Sequence, residues 1–232
     1  GGGAVFGSIQ PQPIEFETDG TLDLTAVVKA VKADDIHFAK TRLLCLENTQ
    51  AGKVLPLAYL EKARSLAVAH GLRCHLDGAR LFNAAVKLGV APSEISRHFD
   101  SVSICLSKGL GAPVGSVLCG SRELVKKARR WRKVLGGGMR QAGIIAAAGV
   151  IALTEMVERL AEAERQFRQA LETAPGLVVV AHAEDGIVEA VEAPDHPFAL
   201  GVQWHPEDLA PNDNGAQGLF DALVSACDGQ AR

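Results

Sequence analysis

"LRCHLDGARLFNAAVKLG", residues 72–89, holds the change of pattern that decides the fold. Its first part, Leu72 to Leu76, reads as a strand, and Ala79 to Gly89 reads as a helix closed by Gly89. Between them Asp77 sits at the strand's carboxyl end. The same alternation extends in both directions. Upstream, "TRLLCLE" (41–47) is a short apolar strand ending on a carboxylate. "LPLAYLEKARSLAVAHG" (55–71) has helical spacing at Leu57, Leu60, Ala63, Leu66 and Ala67, with Gly71 as its stop. Downstream, "SVSICLS" (101–107) and "VGSVLCG" (114–120) predict two further strands. "SRELVKKARRWRKVLGGG" (121–138) predicts a helix with Ser121 as N-cap, and a long helix follows from about Gln141 to Glu172. Strands alternating with helices of this length imply an α/β fold with a mostly parallel sheet.

After Gly176 the composition changes. "LVVVAHAEDGIVEAVE" (177–192) predicts two strands around a turn at Asp185-Gly186; "FALGVQW" (198–204) predicts another, and "NGAQGLFDALVSAC" (214–227) a last helix. This predicts a small α+β C-terminal segment, with domains at 1–172 and 177–232 and a boundary near 173–176.

Bulk properties exclude some functions. The 232 residues are enough for a sizeable core, and 47% apolar with 22% charged residues is ordinary for a soluble domain. A net charge of −3 and a pI near 6.2 argue against nucleic acid as a partner. No apolar run is long enough to span a membrane, and "GGGAVFGSIQ" is not a signal peptide, so a cytoplasmic location is expected. A Gly-Gly-Gly start without Met reads as a segment from inside a longer chain. Cys45, Cys74, Cys105, Cys119 and Cys227 lack C-x-x-C spacing, no metal site is expected, and buried reduced thiols are the default reading.

The chemistry concentrates at two strand ends. Asp77 closes one strand and Lys108, in "SICLSKGLGAPVGS", follows another. Ligands of open α/β sheets sit outside the carboxyl ends of the strands. A desolvated Lys there can attack a carbonyl and form a Schiff base, and a neighbouring carboxylate can keep a pyridine nitrogen protonated. Together these describe pyridoxal phosphate chemistry. An Asp–Lys salt bridge at the strand ends is the structural alternative.

The runs "ENTQAGKVLPLAYL" (47–60), "HGLRCHLDGARLFNAAVKLGV" (70–90) and "DSVSICLSKGLGAPVGSVLCGSRELVKKARRWRKVLGGGMRQAGIIAAAG" (100–149) resemble the low-specificity L-threonine aldolases. These are fold type I pyridoxal phosphate enzymes of the β-eliminating lyase group, and the resemblance spans residues 1–172. It implies Lys108 as the Schiff-base lysine and Asp77 as partner of the pyridine nitrogen. It implies Arg80 as the grip on the substrate carboxylate, a task suited to a bidentate guanidinium. Lys133 and Arg140 are implied as basic residues serving the cofactor phosphate or a neighbouring subunit's site. The implied reaction is retro-aldol cleavage of L-threonine or L-allo-threonine, a β-hydroxy amino acid, to glycine and acetaldehyde. The hydroxyl-proton base stays open; His37 and His75 are candidates, with packed or surface imidazoles as the equal alternative. The resemblance also implies a homo-oligomer, a dimer or tetramer.

Family members carry further sequence before and after the matched stretch, including a phosphate-binding loop and a second carboxylate-binding Arg. Its absence here predicts weaker cofactor binding, impaired turnover and an uncovered sheet edge. The tail, with "AEDGIVEAVEAPDHPFALGVQWHPE" (183–207) at its centre, resembles a class I glutamine amidotransferase over residues 177–227, most of all a γ-glutamyl-γ-aminobutyrate hydrolase with a Cys–His–Glu triad. His205 and Glu207 match base and orienter, but no G-x-C-x-G elbow supplies a nucleophile, so the pair reads as vestigial. A truncated or fused lyase, a γ-glutamyl amide hydrolase and a non-catalytic fusion product are thus the three classes of function to separate.

Overall fold

The computed structural model describes residues 2–162, 173–182, 188–202 and 206–229, without the side chains of 207, 208, 228 and 229. The chain divides into two compact units, Gly1–Ala161 and Glu162–Arg232.

The first unit opens with α1 (Gly2–Gly7) and α2 (Leu24–Ala30), the latter capped by Asp23, whose carboxylate accepts from the Thr25 N–H. It continues through β1 (Leu43–Glu47), α3 (Leu57–Ala69), β2 (Arg73–Asp77), α4 (Leu81–Leu88) and α5 (Pro92–Ser96). β3 (Ser101–Cys105), β4 (Ser116–Gly120), α6 (Arg122–Val134) and α7 (Gly143–Thr154) follow. The sheet order is β1-β2-β3-β4; β1, β2 and β3 run parallel and β4 is antiparallel to β3. A parallel return needs about a dozen or more residues. The loop 106–115 holds fewer and contains no helix, so the chain doubles back instead.

Alternation along the strands sends Leu44, Leu46, Cys74, Leu76 and Val102 to one face. That face forms the core with Leu60 and Ala63 of α3, Leu81 and Ala84 of α4, and Ile95 of α5. Gly89 ends α4 in the left-handed conformation (φ 65°), the C-terminal stop its sequence predicts. Ser121 caps α6 by accepting from the Leu124 N–H at 3.2 Å.

Two expectations need correction. The helix predicted from Gln141 to Glu172 is not continuous: α7 spans Gly143–Thr154, Glu155 leaves helical geometry, and helix resumes over 156–162. Thr154 Oγ1 donates to the Val150 carbonyl at 2.9 Å, a back-bond that bends helices. Residues 163–172 lie outside the described residues. The thiols are not all buried either. Only Cys74 is; Cys45, Cys119 and Cys227 are exposed and Cys105 is intermediate, and all five are free. Cys45 alternates onto the face opposite the core and Cys119 lies on the edge strand, so apolar runs here do not imply enclosure.

Asp100 ties the lower edge of the sheet together. Its carboxylate accepts from Arg64 Nη1 at 2.6 Å, Arg73 Nη1 at 2.8 Å and the Cys74 N–H at 2.8 Å. Burial alone would raise this carboxyl, but the hydrogen bonds from Arg64, Cys74 and Arg73 outweigh it and hold it far below the usual carboxylate range. A depressed folded-state pKa contributes stability above the unfolded value of about 4, and that contribution is lost as the pH falls below it. Asp100→Ala is therefore expected to destabilise the unit by roughly 2–3 kcal/mol at neutral pH in denaturant titrations. The difference from wild type should shrink in acid.

The second unit is a three-stranded antiparallel sheet of order β5-β6-β7, formed by Val178–His182, Val188–Glu192 and Leu200–Val202. Two helices follow, α8 (Pro206–Leu209) and α9 (Asn214–Gly229). Asp213 starts α9 by accepting from the Gly215 and Ala216 N–H groups at 2.7 and 2.9 Å. The turn expected at Asp185-Gly186 lies outside the described residues.

Candidate active site

Asp77 is the last residue of β2, and its place is set by the backbone on both sides. Its carbonyl accepts from the Asn48 N–H at 2.9 Å, and its Oδ1 accepts from the Ala79 N–H at 3.1 Å. The Gly78 N–H donates to the Ser103 carbonyl at 2.8 Å, pinning the β2 end against β3. A Cβ on Gly78 would stand 2.9 Å from that carbonyl oxygen and 2.9 Å from Val102 Cγ1. Backbone cannot move aside cheaply, so Gly78→Ala is expected to lower stability by roughly 1–3 kcal/mol, read from its urea midpoint. Arg80 follows at the start of α4 with its side chain exposed.

Lys108 projects from the loop 106–115. The loop closes on itself: Gly111 N–H donates to the Lys108 carbonyl at 2.9 Å, and Ala112 N–H to the Leu106 carbonyl at 3.0 Å. Gly111, at φ 72°, takes a conformation that a side chain would strain. Leu106, Leu110 and Ala112 are buried together with Ala152 of α7, which anchors the loop on either side of the exposed lysine. Asn83 of α4 packs its amide over Gly109, where a Cβ would lie 2.5 Å from Oδ1.

These pieces converge on Glu47 at the end of β1. Burial raises its carboxyl and the Asp77 charge raises it further, while the charges of Lys108 and Arg80 oppose the rise. Glu47 and Asp77 end β1 and β2, and Lys108 lies three residues beyond β3, so these charges stand at the carboxyl ends of the parallel strands, where the α/β rule places a ligand. No ion pair joins Asp77 to Lys108 among the described residues, so the salt-bridge alternative is not what holds them there.

The other predicted residues are placed differently. Lys133 is exposed in the last turn of α6, lying against Gly138, and Arg140 is exposed in the loop beyond it. His37 is exposed. His75 lies in mid-β2 with Nδ1 2.8 Å from Ser101 Oγ, and burial lowers its pKa, so it is a packed imidazole held by the sheet. His205 lies outside the described residues, as does the Glu207 side chain. Asn83 and Glu47 have no role in the sequence reading. A carboxylate closing an apolar strand is the signal that could have singled out Glu47 by the strand-end rule. An open groove of about 800 Å³ between the uncovered sheet face and α6, lined by His75, Ser101, Leu118, Leu124 and Trp131, includes neither Asp77 nor Lys108.

The residues present could hold pyridoxal phosphate. An amine that can condense with an aldehyde, a carboxylate for a ring nitrogen and a guanidinium for a second anion are what pyridoxal phosphate and an amino acid need. The Asn48 side chain is fully buried beside this cluster in sequence, and its Nδ2 has no partner among the described residues.

The family model for beta-eliminating lyases matches residues 1–191. The chain belongs to the β-eliminating lyase family. The match runs through β5 into β6, past the boundary expected near 173–176. The lyase-like chain is 58% identical over 162 residues to the low-specificity L-threonine aldolase of Escherichia coli K12, covering 70% of this chain and 49% of that protein. It is 47% identical to low-specificity L-threonine aldolase 1 of Arabidopsis thaliana, over 69% of this chain and 46% of the other. The chain spans about half the length of the curated relatives it matches. Its fold is that of the threonine aldolase of Leishmania major, with a TM-score of 0.58 at 22% identity over 79% of this chain and 54% of that one. Membership of the β-eliminating lyases indicates pyridoxal phosphate as the cofactor, which the residues at the strand ends fit. Among the described residues no helix is long and apolar enough to cross a membrane.

Proposed function

We propose that the chain carries the lysine-bearing site of an aldehyde-lyase that cleaves L-threonine or L-allo-threonine to glycine and acetaldehyde. The observation that supports this reading best is the placement of Asp77 at the carboxyl end of β2, Arg80 at the start of α4 and Lys108 just beyond the carboxyl end of the neighbouring parallel strand β3. Bound pyridoxal phosphate supplies an electron sink for the pair released when the Cα–Cβ bond breaks. Lys108 Nζ would be the amine that holds the cofactor. The Asp77 carboxylate holds a proton at the ring nitrogen, and its fixed bond from the Ala79 N–H keeps it oriented without reorganisation. The Arg80 guanidinium binds the substrate carboxylate and so orients the scissile bond.

Lys133 and Arg140 are proposed as phosphate or intersubunit contacts of a homo-oligomer, supported by resemblance alone. So too is the division at 172–177, with a vestigial amidotransferase-like tail at His205 and Glu207. The test is direct. With added cofactor, L-threonine should give glycine and acetaldehyde in equal amounts, while γ-glutamyl amides should release no glutamate. Glutamate release abolished by His205→Ala, with no glycine from threonine, would replace the lyase reading by the hydrolase one.

A further inference from the structure

Sheets built of parallel strands carry helices on both faces. In the first unit α3, α4 and α5 cover one face, where Leu44, Leu76 and Val102 are buried. The other face, opposite by alternation, carries Leu43, His75, Ser101 and Leu118. α6 flanks that face across the groove of about 800 Å³. Leu124, Ala128 and Trp131 line its helical wall at i, i+4 and i+7, a ridge of the kind that packs against another helix. Yet α6 has no buried residue, and Trp131 stays 55% exposed. Leu43 at 48% and Leu118 at 41% are open on the sheet side. Two apolar surfaces thus face each other across an open groove.

The charge around the groove selects its occupant. α6 holds seven Lys or Arg among its thirteen residues against one Glu, and that Glu123 is tied to Lys127 at 2.7 Å. On the sheet side Asp100 is engaged by Arg64 and Arg73, while Arg42 has no ion pair among the described residues. Both carboxylates at the groove are therefore matched, and the surplus charge is positive. Two copies of α6 would repel, which disfavours a symmetric pairing of this face with itself. A bilayer is flat and cannot reach the floor of a groove walled on both sides. We propose that the groove docks a helix of a partner protein whose apolar stripe is flanked by carboxylates. The stripe packs on the ridge of Leu124, Ala128 and Trp131 and on Leu43 and Leu118, and its carboxylates meet Arg42 and the cations of α6. From Leu124 to Trp131 the ridge is about 10 Å long, two turns of such a helix. The groove includes neither Asp77 nor Lys108, so this docking is independent of the pyridoxal phosphate reading.

The test uses the full chain carrying Trp204→Phe, which leaves Trp131 as its one indole. The probe is a helical peptide of about 18 residues, five turns, with leucines on one face and glutamates on the rest. A second peptide has lysines in place of the glutamates. The glutamate peptide should shift Trp131 emission to the blue in a saturable titration; the lysine peptide and vesicles containing phosphatidylglycerol should not. Raising the salt from about 0.05 to about 0.5 M should weaken the binding at least about fivefold, because exposed charges are screened. Arg42→Glu combined with Lys127→Glu should weaken it about tenfold. Both side chains are exposed, so the fold should hold. Should the double variant lose the wild-type circular dichroism, Arg42→Glu alone and the salt series decide. No shift with the glutamate peptide, an equal shift with the lysine peptide, or a shift with the vesicles would overturn the proposal. So would a blue shift that grows with chain concentration alone, in step with dimer formation, because a second copy would then be the occupant.

Discussion

Lys108→Ala is expected to leave the chain unable to form the visible, borohydride-reducible adduct with pyridoxal phosphate that wild type should form, and to lower glycine release from L-threonine by about a thousandfold or more. The loss is that large because no neighbour can substitute. A replacement amine would have to emerge where the loop 106–115 is pinned by its own hydrogen bonds and by buried Leu106, Leu110 and Ala112. Lys133 and the other lysines of α6 sit on an exposed helix that follows the antiparallel strand β4. The fold should survive, because the Lys108 side chain is exposed and contributes only its backbone carbonyl to the loop. Unchanged thermal unfolding beside the lost adduct is the expected pair of results; equal adduct in both proteins would contradict it.

Asp77→Asn is expected to separate binding from catalysis. Asparagine keeps an oxygen for the Ala79 N–H, so the strand end and the following turn should hold, with stability within about 1 kcal/mol of wild type. The negative charge is lost, and with it the group proposed to keep a proton on the ring nitrogen. Withdrawal of electrons from the breaking Cα–Cβ bond weakens accordingly, and glycine formation should drop about a hundredfold or more. Labelling of Lys108 should persist, because the amine is untouched. Single-turnover glycine release, compared with the yield of fixed adduct, reads both halves. An Asp77→Asn chain with wild-type turnover would remove Asp77 from the site.

Local signals made much of this fold legible. The strand–turn–helix at 72–89, the Gly89 stop and the Ser121 cap are each written within a few residues, and each is where the sequence puts it. The direction of β4 is not local: a run such as "SVLCG" pairs equally well either way, and only the short loop before it decides. The break at Thr154 was hidden because an apolar stretch such as "GIIAAAGVIALT" keeps helical spacing through a residue whose hydroxyl bonds backward. Burial of the cysteines failed as an inference because β-strand alternation, not the apolarity of the run, decides which face a side chain meets. At the site, Asp77 and Lys108 stood out as charges at the ends of apolar strands. The pairing of Glu47 with Asp77 is a matter of register between segments thirty positions apart, which only the assembled sheet reveals.

The most direct test of the account is to add pyridoxal phosphate to the wild-type chain, reduce with borohydride, digest and map the pyridoxylated peptide. One dominant label is expected, on Lys108 within "SKGLGAP" (107–113), approaching one per chain. Label scattered over Lys126, Lys127 and other surface lysines, with none enriched at Lys108, would contradict it.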